Sequence, residues 1–400
     1  MSRKSCDLEK RPIFLNSAGV ICSLGSGLGT VQDNLFSENT EVTYLKPSPK
    51  FSTDDNLLLG LVEHPLAAVS IAEEDTRNNR MLTTALEPLL GEIQSLKERF
   101  GPLRIAVVIG TSTSGISDGE EAFRYLRNQN KFPDHYNYRK QEPSSPSRYV
   151  AKWLELHGPS FTVSSACTSG AKVLASAARL LRLDVCDAVI AGGVDTICDM
   201  TVKGFSSLLI TTDSICNPFS INRNGINIGE GAGLFLLTRE PGPVHLVGVG
   251  ETSDAYHISA PHPEGKGAEN AMRQALQQAG MEPEEIQYLN LHGTGTEQND
   301  KMEAKAVHRV FGPQIACSST KPLTGHTLAA AGAIEAVFCW LALQREDGRL
   351  PPHRWDGQPD PALPVLTGIT STKLEGKLTT AMSNSFAFGG NNTSLILVSE

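Results

Sequence analysis

The chain holds 400 residues, 40% hydrophobic and 20% charged, which is enough apolar material for a sizeable core in two or three domain-sized units and too little charge for a disordered tail. Its formal charge of -9, from 35 Lys+Arg against 44 Asp+Glu, excludes a chain-wide affinity for nucleic-acid phosphates or anionic lipid. The eight cysteines (Cys6, Cys22, Cys167, Cys186, Cys198, Cys216, Cys317, Cys339) include no Cys-x-x-Cys pair and no clustered His, which argues against structural zinc and for buried thiols in a reducing, cytoplasmic setting.

Met1 to Pro12 alternates charges and lacks an apolar run, so it does not read as a signal peptide. A β-rich run at 105–110 precedes a helix near 119–129, and a strand at 160–165 precedes an Ala/Leu-rich helix at about 168–183. A second cycle follows: strand 244–249, helix 268–279, strand 288–292, helix 300–311 and a helix beginning near Leu328. That alternation indicates α/β layers. The stretch 327–343 is the most apolar, but it is short and carries Glu335, so it reads as a buried core helix and not a membrane span. Glycine-rich turns lead into apolar strands at 229–238 and again at 388–398, an echo that suggests an internal duplication. The seam falls at Glu240-Pro-Gly-Pro243, dividing the chain into 1–243 and 244–400.

Four segments carry chemistry. Ser164-Ser-Ala-Cys167-Thr-Ser-Gly170 puts a cysteine at the turn from strand to helix, where the helix terminus would lower the thiol pKa and increase the thiolate fraction, although a buried structural cysteine is the plain alternative. His292-Gly-Thr294-Gly-Thr296 ends an apolar strand, where α/β sheets place ligands, and its two hydroxyls and glycines suit an extended amide-bearing ligand. Lys321 and His326 flank a turn into a small-residue helix, a place a capping histidine could also occupy. In Ser383-Asn-Ser-Phe386-Ala-Phe388-Gly-Gly-Asn-Asn392 glycines could aim a backbone N–H into a pocket walled by phenylalanines, or could form a simple hairpin. Together they point to nucleophilic acyl chemistry.

In this order these motifs, with Asn217–Gly231 and Asp254-Ala-Tyr-His-Ile-Ser-Ala-Pro-His-Pro263, make nearly the whole chain resemble a β-ketoacyl-[acyl carrier protein] synthase, a condensing enzyme of the thiolase superfamily. The resemblance implies an α/β, five-layered αβαβα fold of two duplicated halves. It also implies a subunit that forms homodimers or pairs with a chain-length-factor-like partner. Substrates would arrive on the phosphopantetheine of an acyl carrier protein, with no metal and no other cofactor. Cys167 would take the acyl group, and the N–H groups of Cys167 and Phe388 would form the oxyanion hole. His292 and His326, as neutral imidazoles, would stabilise the enolate left by decarboxylation of malonyl carrier protein. Lys321 would orient the cluster, Glu303 would support it from beneath, and Thr294, Thr296 and Phe386 would line the substrate channel. Thr113 and Ser114 match acyl-pocket positions, and Arg77, Arg80, Lys203, Arg124 and Arg127 are the cations available to dock an acidic carrier, in an association that salt would weaken. The loops 254–263 and 383–392 would open and close beside the channel.

Two departures stand out. Ser220 occupies a position where the family often has an acid, which puts an ion pair with Arg223 in doubt, and Thr212 occupies a position that is often basic. Gly110-Thr-Ser-Thr-Ser-Gly115, Arg77-Asn-Asn-Arg80 and the two loops look most like ketosynthases of aryl polyene biosynthesis. A fatty-acid elongation synthase would share every catalytic residue. A coenzyme A thiolase would need a Gly-His-Pro segment and a second catalytic cysteine, and a non-catalytic chain-length subunit would usually lack the nucleophile.

Overall fold

A computed structural model describes residues 11–48 and 57–399, so Cys6 and most of the amino-terminal segment lie outside the described residues. The principal elements in chain order are β1 (Phe14–Cys22), α1 (Arg77–Leu86), β2 (Ile105–Gly110), α2 (Ile116–Gln129), α3 (Ser145–Trp153), β3 (Ser160–Val163), α4 (Ser169–Arg182), β4 (Ala188–Asp195), α5 (Asp199–Ser207) and β5 (Gly231–Thr238). They continue as β6 (Val244–Ser253), α6 (Lys266–Ala279), β7 (Tyr288–Asn290), α7 (Glu297–Phe311), β8 (Cys317–Ser318), α8 (Ala331–Leu343), β9 (Thr380–Phe386) and β10 (Asn391–Ser399). The helices expected near 119–129, 168–183, 268–279 and 300–311 all form within a few residues of those bounds.

The strands run in the order β8-β7-β9-β10-β6-β1-β5-β4-β2-β3. The first five strands pair β1–β5 and β5–β4 antiparallel, then β4–β2 and β2–β3 parallel. The next five repeat that pattern: β6–β10 and β10–β9 antiparallel, then β9–β7 and β7–β8 parallel. Two short pairings, Phe14 with His245 and Leu15 with Val244, join the sets.

Side-chain alternation turns this sheet into layers, because successive residues of a strand face opposite sides. Ile105, Val107 and Ile109 of β2 face a core shared with α1 and α3, whereas Ala106 and Val108 face the interior that holds α4 and α8. In the second set Leu395 and Leu397 of β10 face that same interior, and Ile396 faces a core built with α6 and α7. The result is outer helices, sheet, two central helices, sheet and outer helices. All thirteen residues of α8 are buried, Glu335 included, as expected of the most apolar helix in the sequence.

The central helices lie so close to the sheet that β5 can carry no side chain at one crossing: a Cβ on Gly233 would lie 2.8 Å from the backbone nitrogen of Ile334. Gly233→Val is therefore expected to destabilise by about 1–3 kcal/mol through overpacking. Gly91→Ala, which meets nothing within 4 Å, should leave the thermal midpoint unchanged or slightly higher. Thermal unfolding followed by circular dichroism compares the two.

Candidate active site

Cys167 stands two residues ahead of α4, in a turn knitted by its own small polar residues. Ser169 Oγ donates to the carbonyl of Ala166 at 2.6 Å and accepts from the N–H of Ser165 at 2.8 Å, and Thr168 Oγ1 donates to the carbonyl of Ser165 at 2.8 Å. This turn places Ala166 in the left-handed region, φ 50°, an unfavourable conformation for a residue with a Cβ. The second half repeats the device. His326 stands two residues ahead of the short helix Leu328–Ala330 that leads into α8, and the residue before it, Gly325, has φ 66°.

Because α4 and α8 lie side by side, the two turns meet. Cys167 Sγ is 2.9 Å from His326 Nε2, and both residues are buried. His292 leaves the end of β7, its ring 5.3 Å from that of His326 and nearly perpendicular to it, with Phe386 packed edge-on at 6.0 Å. Glu303 on α7 fixes the turn below, accepting the N–H of His292 and of Gly293, each at 2.7 Å. Lys321 is buried and its Nζ donates to Glu335 on α8 at 2.6 Å. A cavity of about 450 Å³ opens onto Cys167, His292 and His326 and is walled by Thr294, Thr296, Phe386 and Phe388. Thr294 and Thr296 hydrogen-bond through their hydroxyls at 2.9 Å.

Burial governs the charges. It holds His292 and His326 well below the usual imidazole range, helped by the positive charge of Lys321, so both rings are neutral. It also pushes the Cys167 thiol up to about 12, with Lys321 pulling the other way. The thiolate expected from the helix-tip position is thus corrected: desolvation outweighs the helix terminus, and the resting site holds a thiol beside a neutral imidazole. The sulfur and one nitrogen of each imidazole lie within 4.8 Å of one another, close enough to bind a soft metal ion as well.

Asp195, at the end of β4, is a residue that sequence patterns passed over. Its carboxylate is fully buried and accepts from Thr111 Oγ1 at 2.7 Å, the N–H of Ser112 at 2.7 Å, Thr113 at 2.9 Å and the N–H of Ala329 at 2.8 Å. It thereby ties the loop after β2 to the turn that carries His326. Glu335 and Asp300, the latter holding the N–H of Phe219 at 2.8 Å, were likewise unassigned.

Several assignments move. Thr113 and Ser114 are not among the residues walling this cavity: Thr113 is bonded to Asp195, and Ser114 Oγ donates to the carbonyls of Lys140 and Glu142 at 3.2 and 2.8 Å. Arg77 is committed to the buried Glu230, with Nε to Oε2 at 3.0 Å, and also donates to the carbonyl of Val62 at 3.1 Å. Arg80 is bidentate on Asp75 at 2.6 Å. Arg124 and Lys203 share Asp199, at 2.9 and 3.2 Å, while Arg127 is exposed. The Arg223 pair left in doubt by Ser220 is present by another route, through Asp360 at 2.6 Å. The two loops beside the cavity are stitched together, the N–H of Asp254 donating to Gly390 at 2.8 Å and the N–H of Gly389 to Ile258 at 2.7 Å.

The β-ketoacyl synthase N-terminal domain family matches residues 70–241, and the C-terminal domain family matches 244–354. Nodulation protein E of Rhizobium leguminosarum bv. trifolii is 32% identical over 96% of this chain and 98% of its own. The chain belongs to the β-ketoacyl synthase family. It is a condensing enzyme of the acyltransferase type with the thiolase-like fold of two duplicated halves. The 3-oxoacyl-[acyl-carrier-protein] synthase 2 of Staphylococcus aureus is 36% identical over 73% of this chain and 76% of its own length. Among solved structures, the ketosynthase ApeO in complex with its chain length factor ApeC from Xenorhabdus doucetiae matches with TM-score 0.92 and 42% identity over 100% of both chains. The ishigamide ketosynthase/chain length factor matches at TM-score 0.86 and 26% identity over 98% of this chain and 99% of that one.

Two outcomes follow from the buried charges. Lys321→Ala strands Glu335 without its cation and is expected to cost about 3–5 kcal/mol in a denaturant titration, most of which Lys321→Met with Glu335→Leu should restore. Burial raises Glu303 from 4.5 to about 7, so the stability contributed by its protonated form is complete below about pH 4.5 and is lost as pH rises through about 7. Glu303→Gln should be less stable overall, with a thermal midpoint that changes less between about pH 5 and pH 8 than that of the unaltered protein.

Proposed function

We propose that this enzyme elongates a conjugated chain of the aryl polyene type by decarboxylative Claisen condensation, using malonyl carrier protein as the extender. The observation that carries the condensation chemistry is the contact of Cys167 Sγ with His326 Nε2 at 2.9 Å, beside a second imidazole, with both rings kept neutral; the aryl polyene class rests on the sequence resemblance alone. Sγ attacks the carbonyl of the incoming acyl thioester, the pantetheine sulfur leaves, and the thiol proton passes to it, with His326 Nε2 the adjacent base. The N–H groups of Cys167 and Phe388 hold the oxyanion. After exchange of carriers, and with the single ring proton of His326 now on Nε2 and not on Nδ1, N–H groups of His292 and His326 bond the malonyl thioester oxygen, carbon dioxide leaves, and the enolate carbon attacks the acyl carbon. Sγ is expelled and regains a proton from solvent. Lys321 and Glu303 act as positioning residues, while Thr294, Thr296 and Phe386 line the path of the pantetheine arm.

The repeated strand order supports halves at 1–243 and 244–400. Identity to ApeO over the whole chain supports pairing with a chain-length-factor-like subunit, with a homodimer as the other arrangement. Among the described residues no helix is long and apolar enough to cross a membrane, in keeping with a cytoplasmic site of action.

Incubation with acyl and malonyl carrier proteins, followed by mass spectrometry, tests the reading. The acyl increment is expected on the peptide containing Cys167 and should disappear in Cys167→Ala. Cys167→Gln should still release carbon dioxide from malonyl carrier protein, since both histidines remain. An acylated Cys167→Ala protein would sink the assignment.

A further inference from the structure

One side chain outside the reacting group holds both of the turns that carry it. Asp195 ends β4, fully buried, and five neutral donors converge on its carboxylate. Thr111 Oγ1 at 2.7 Å, the N–H of Ser112 at 2.7 Å, and the N–H and Oγ1 of Thr113, each at 2.9 Å, donate to Oδ1. The N–H of Ala329 donates to Oδ2 at 2.8 Å. A buried anion held by neutral donors is expensive, and an apolar side chain would close the same core at less cost.

Each oxygen serves a different turn. The loop held by Oδ1 follows Gly110, where a Cβ would lie 2.9 Å from the carbonyl carbon of Ser169, the residue whose hydroxyl shapes the turn at Cys167. Oδ2 holds the turn after His326. The backbone there has almost no slack. A Cβ on Gly193 would lie 2.8 Å from the carbonyl oxygen of Ala329, and Leu328 takes φ 52°, a left-handed conformation that a residue with a Cβ keeps only where its surroundings impose it. On the other side of Leu328, the N–H of His326 donates to the carbonyl of Asn227 at 2.6 Å. The turn is thus fastened ahead of its strained residue by Asn227 and behind it by Asp195.

We propose that Asp195 is a positioning residue for the condensation, its two oxygens fixing the Cys167 turn and the His326 turn relative to one another. The proposal rests on the ketosynthase reading above. Geometry at such a site is exacting, since a misplacement of ~1 Å can cost ~10²-fold in rate. Asp195→Asn keeps the volume of the side chain but leaves a single acceptor oxygen. Whichever way its amide faces, one of the two turns meets an NH2 group where it needs an acceptor. The loss then falls on the chemical step and not on binding, because Asp195 is not among the residues that wall the cavity.

The test reads the two half-reactions separately. Release of carbon dioxide from malonyl carrier protein is followed in Cys167→Gln, where the histidines act without the thiol, and acylation of Cys167 by hexanoyl-N-acetylcysteamine is followed by mass in the enzyme with its cysteine. Adding Asp195→Asn is expected to lower the maximal rate of each at least about tenfold, while the half-saturating substrate concentration stays within about twofold. Val150→Ala, a truncation of a buried side chain in the outer core shared by α1, α3 and β2, should lower the thermal midpoint yet leave both rates within about twofold. Losses of equal size in these two variants, a loss carried by half-saturation alone, or full rates in a folded Asp195→Asn protein overturn the proposal. Should Asp195→Asn not fold, Thr111→Val decides, since it removes one donor and keeps the carboxylate. Rates lower by about threefold at unchanged half-saturation are expected of it, and unchanged rates overturn the proposal. If Cys167→Gln with Asp195 intact releases no carbon dioxide and the unaltered enzyme is not acylated, the ketosynthase reading falls and this proposal with it.

Discussion

Everything at the site depends on how closely α4 and α8 approach. A Cβ on Gly170 would lie 2.7 Å from the carbonyl oxygen of Ala329, and one on Gly332 would lie 3.0 Å from the nitrogen of Ala171, so the two helices touch backbone to backbone near their amino ends. A turn sets one functional side chain two residues ahead of α4, and another two residues ahead of the short helix that leads into α8. Contact of the helices therefore becomes contact of Cys167 with His326. Asp195 locks the same crossing from the sheet side, because its carboxylate receives the N–H of Ala329 while also holding Ser112 and Thr113. Catalytic groups supplied by separate halves are held within hydrogen-bonding distance by packing and by the Asp195 hydrogen bonds, which is how proximity is obtained before any substrate arrives.

Such packing buries Cys167, His292 and His326, and the electrostatics follow from that. In a low-dielectric interior the neutral forms of imidazole and thiol are favoured, and a histidine that stays neutral can donate a hydrogen bond to a developing enolate without carrying charge of its own. Lys321 would be costly in this setting without Glu335, and Glu335 without Lys321. As a pair they leave a positive end that disfavours protonation of both histidines and partly offsets the burial of the thiol. The site is thus poised by desolvation first and by one ion pair second.

What could be read from sequence was what is local. The strand, turn and helix around Cys167, the strand ending at His292 and the small-residue helix after His326 each announce themselves within a dozen residues, and the layered fold follows from their alternation. What could not be read was contributed from afar. Asp195 resembles the last residue of an apolar strand, and its partners lie 84 and 134 positions away. Arg77 looks like an exposed cation until Glu230, 153 positions on, is folded against it. Sequence points to the opposite direction for the Cys167 shift for the same reason, since the helix terminus is visible in sequence but the layers that bury the thiol are not.

Ser220 shows how a lost partner is replaced in space and not in sequence. Where the family often has an acid, the serine hydroxyl instead donates to Asp356 at 2.9 Å, and Arg223 turns to Asp360. Ile221 and Gln358 add a backbone hydrogen bond at 3.0 Å, so the loop that walls the cavity is fastened to a segment more than a hundred positions downstream. A carboxylate supplied by the neighbouring loop satisfies the buried guanidinium as well as one in the same loop would, since a buried cation requires a partner of opposite charge at hydrogen-bonding distance and is indifferent to where in the chain it originates. Substituting only Ser220 to restore the family's acid would then place a second carboxylate against Asp356, and the like charges would repel across the very contact that now holds the wall in place.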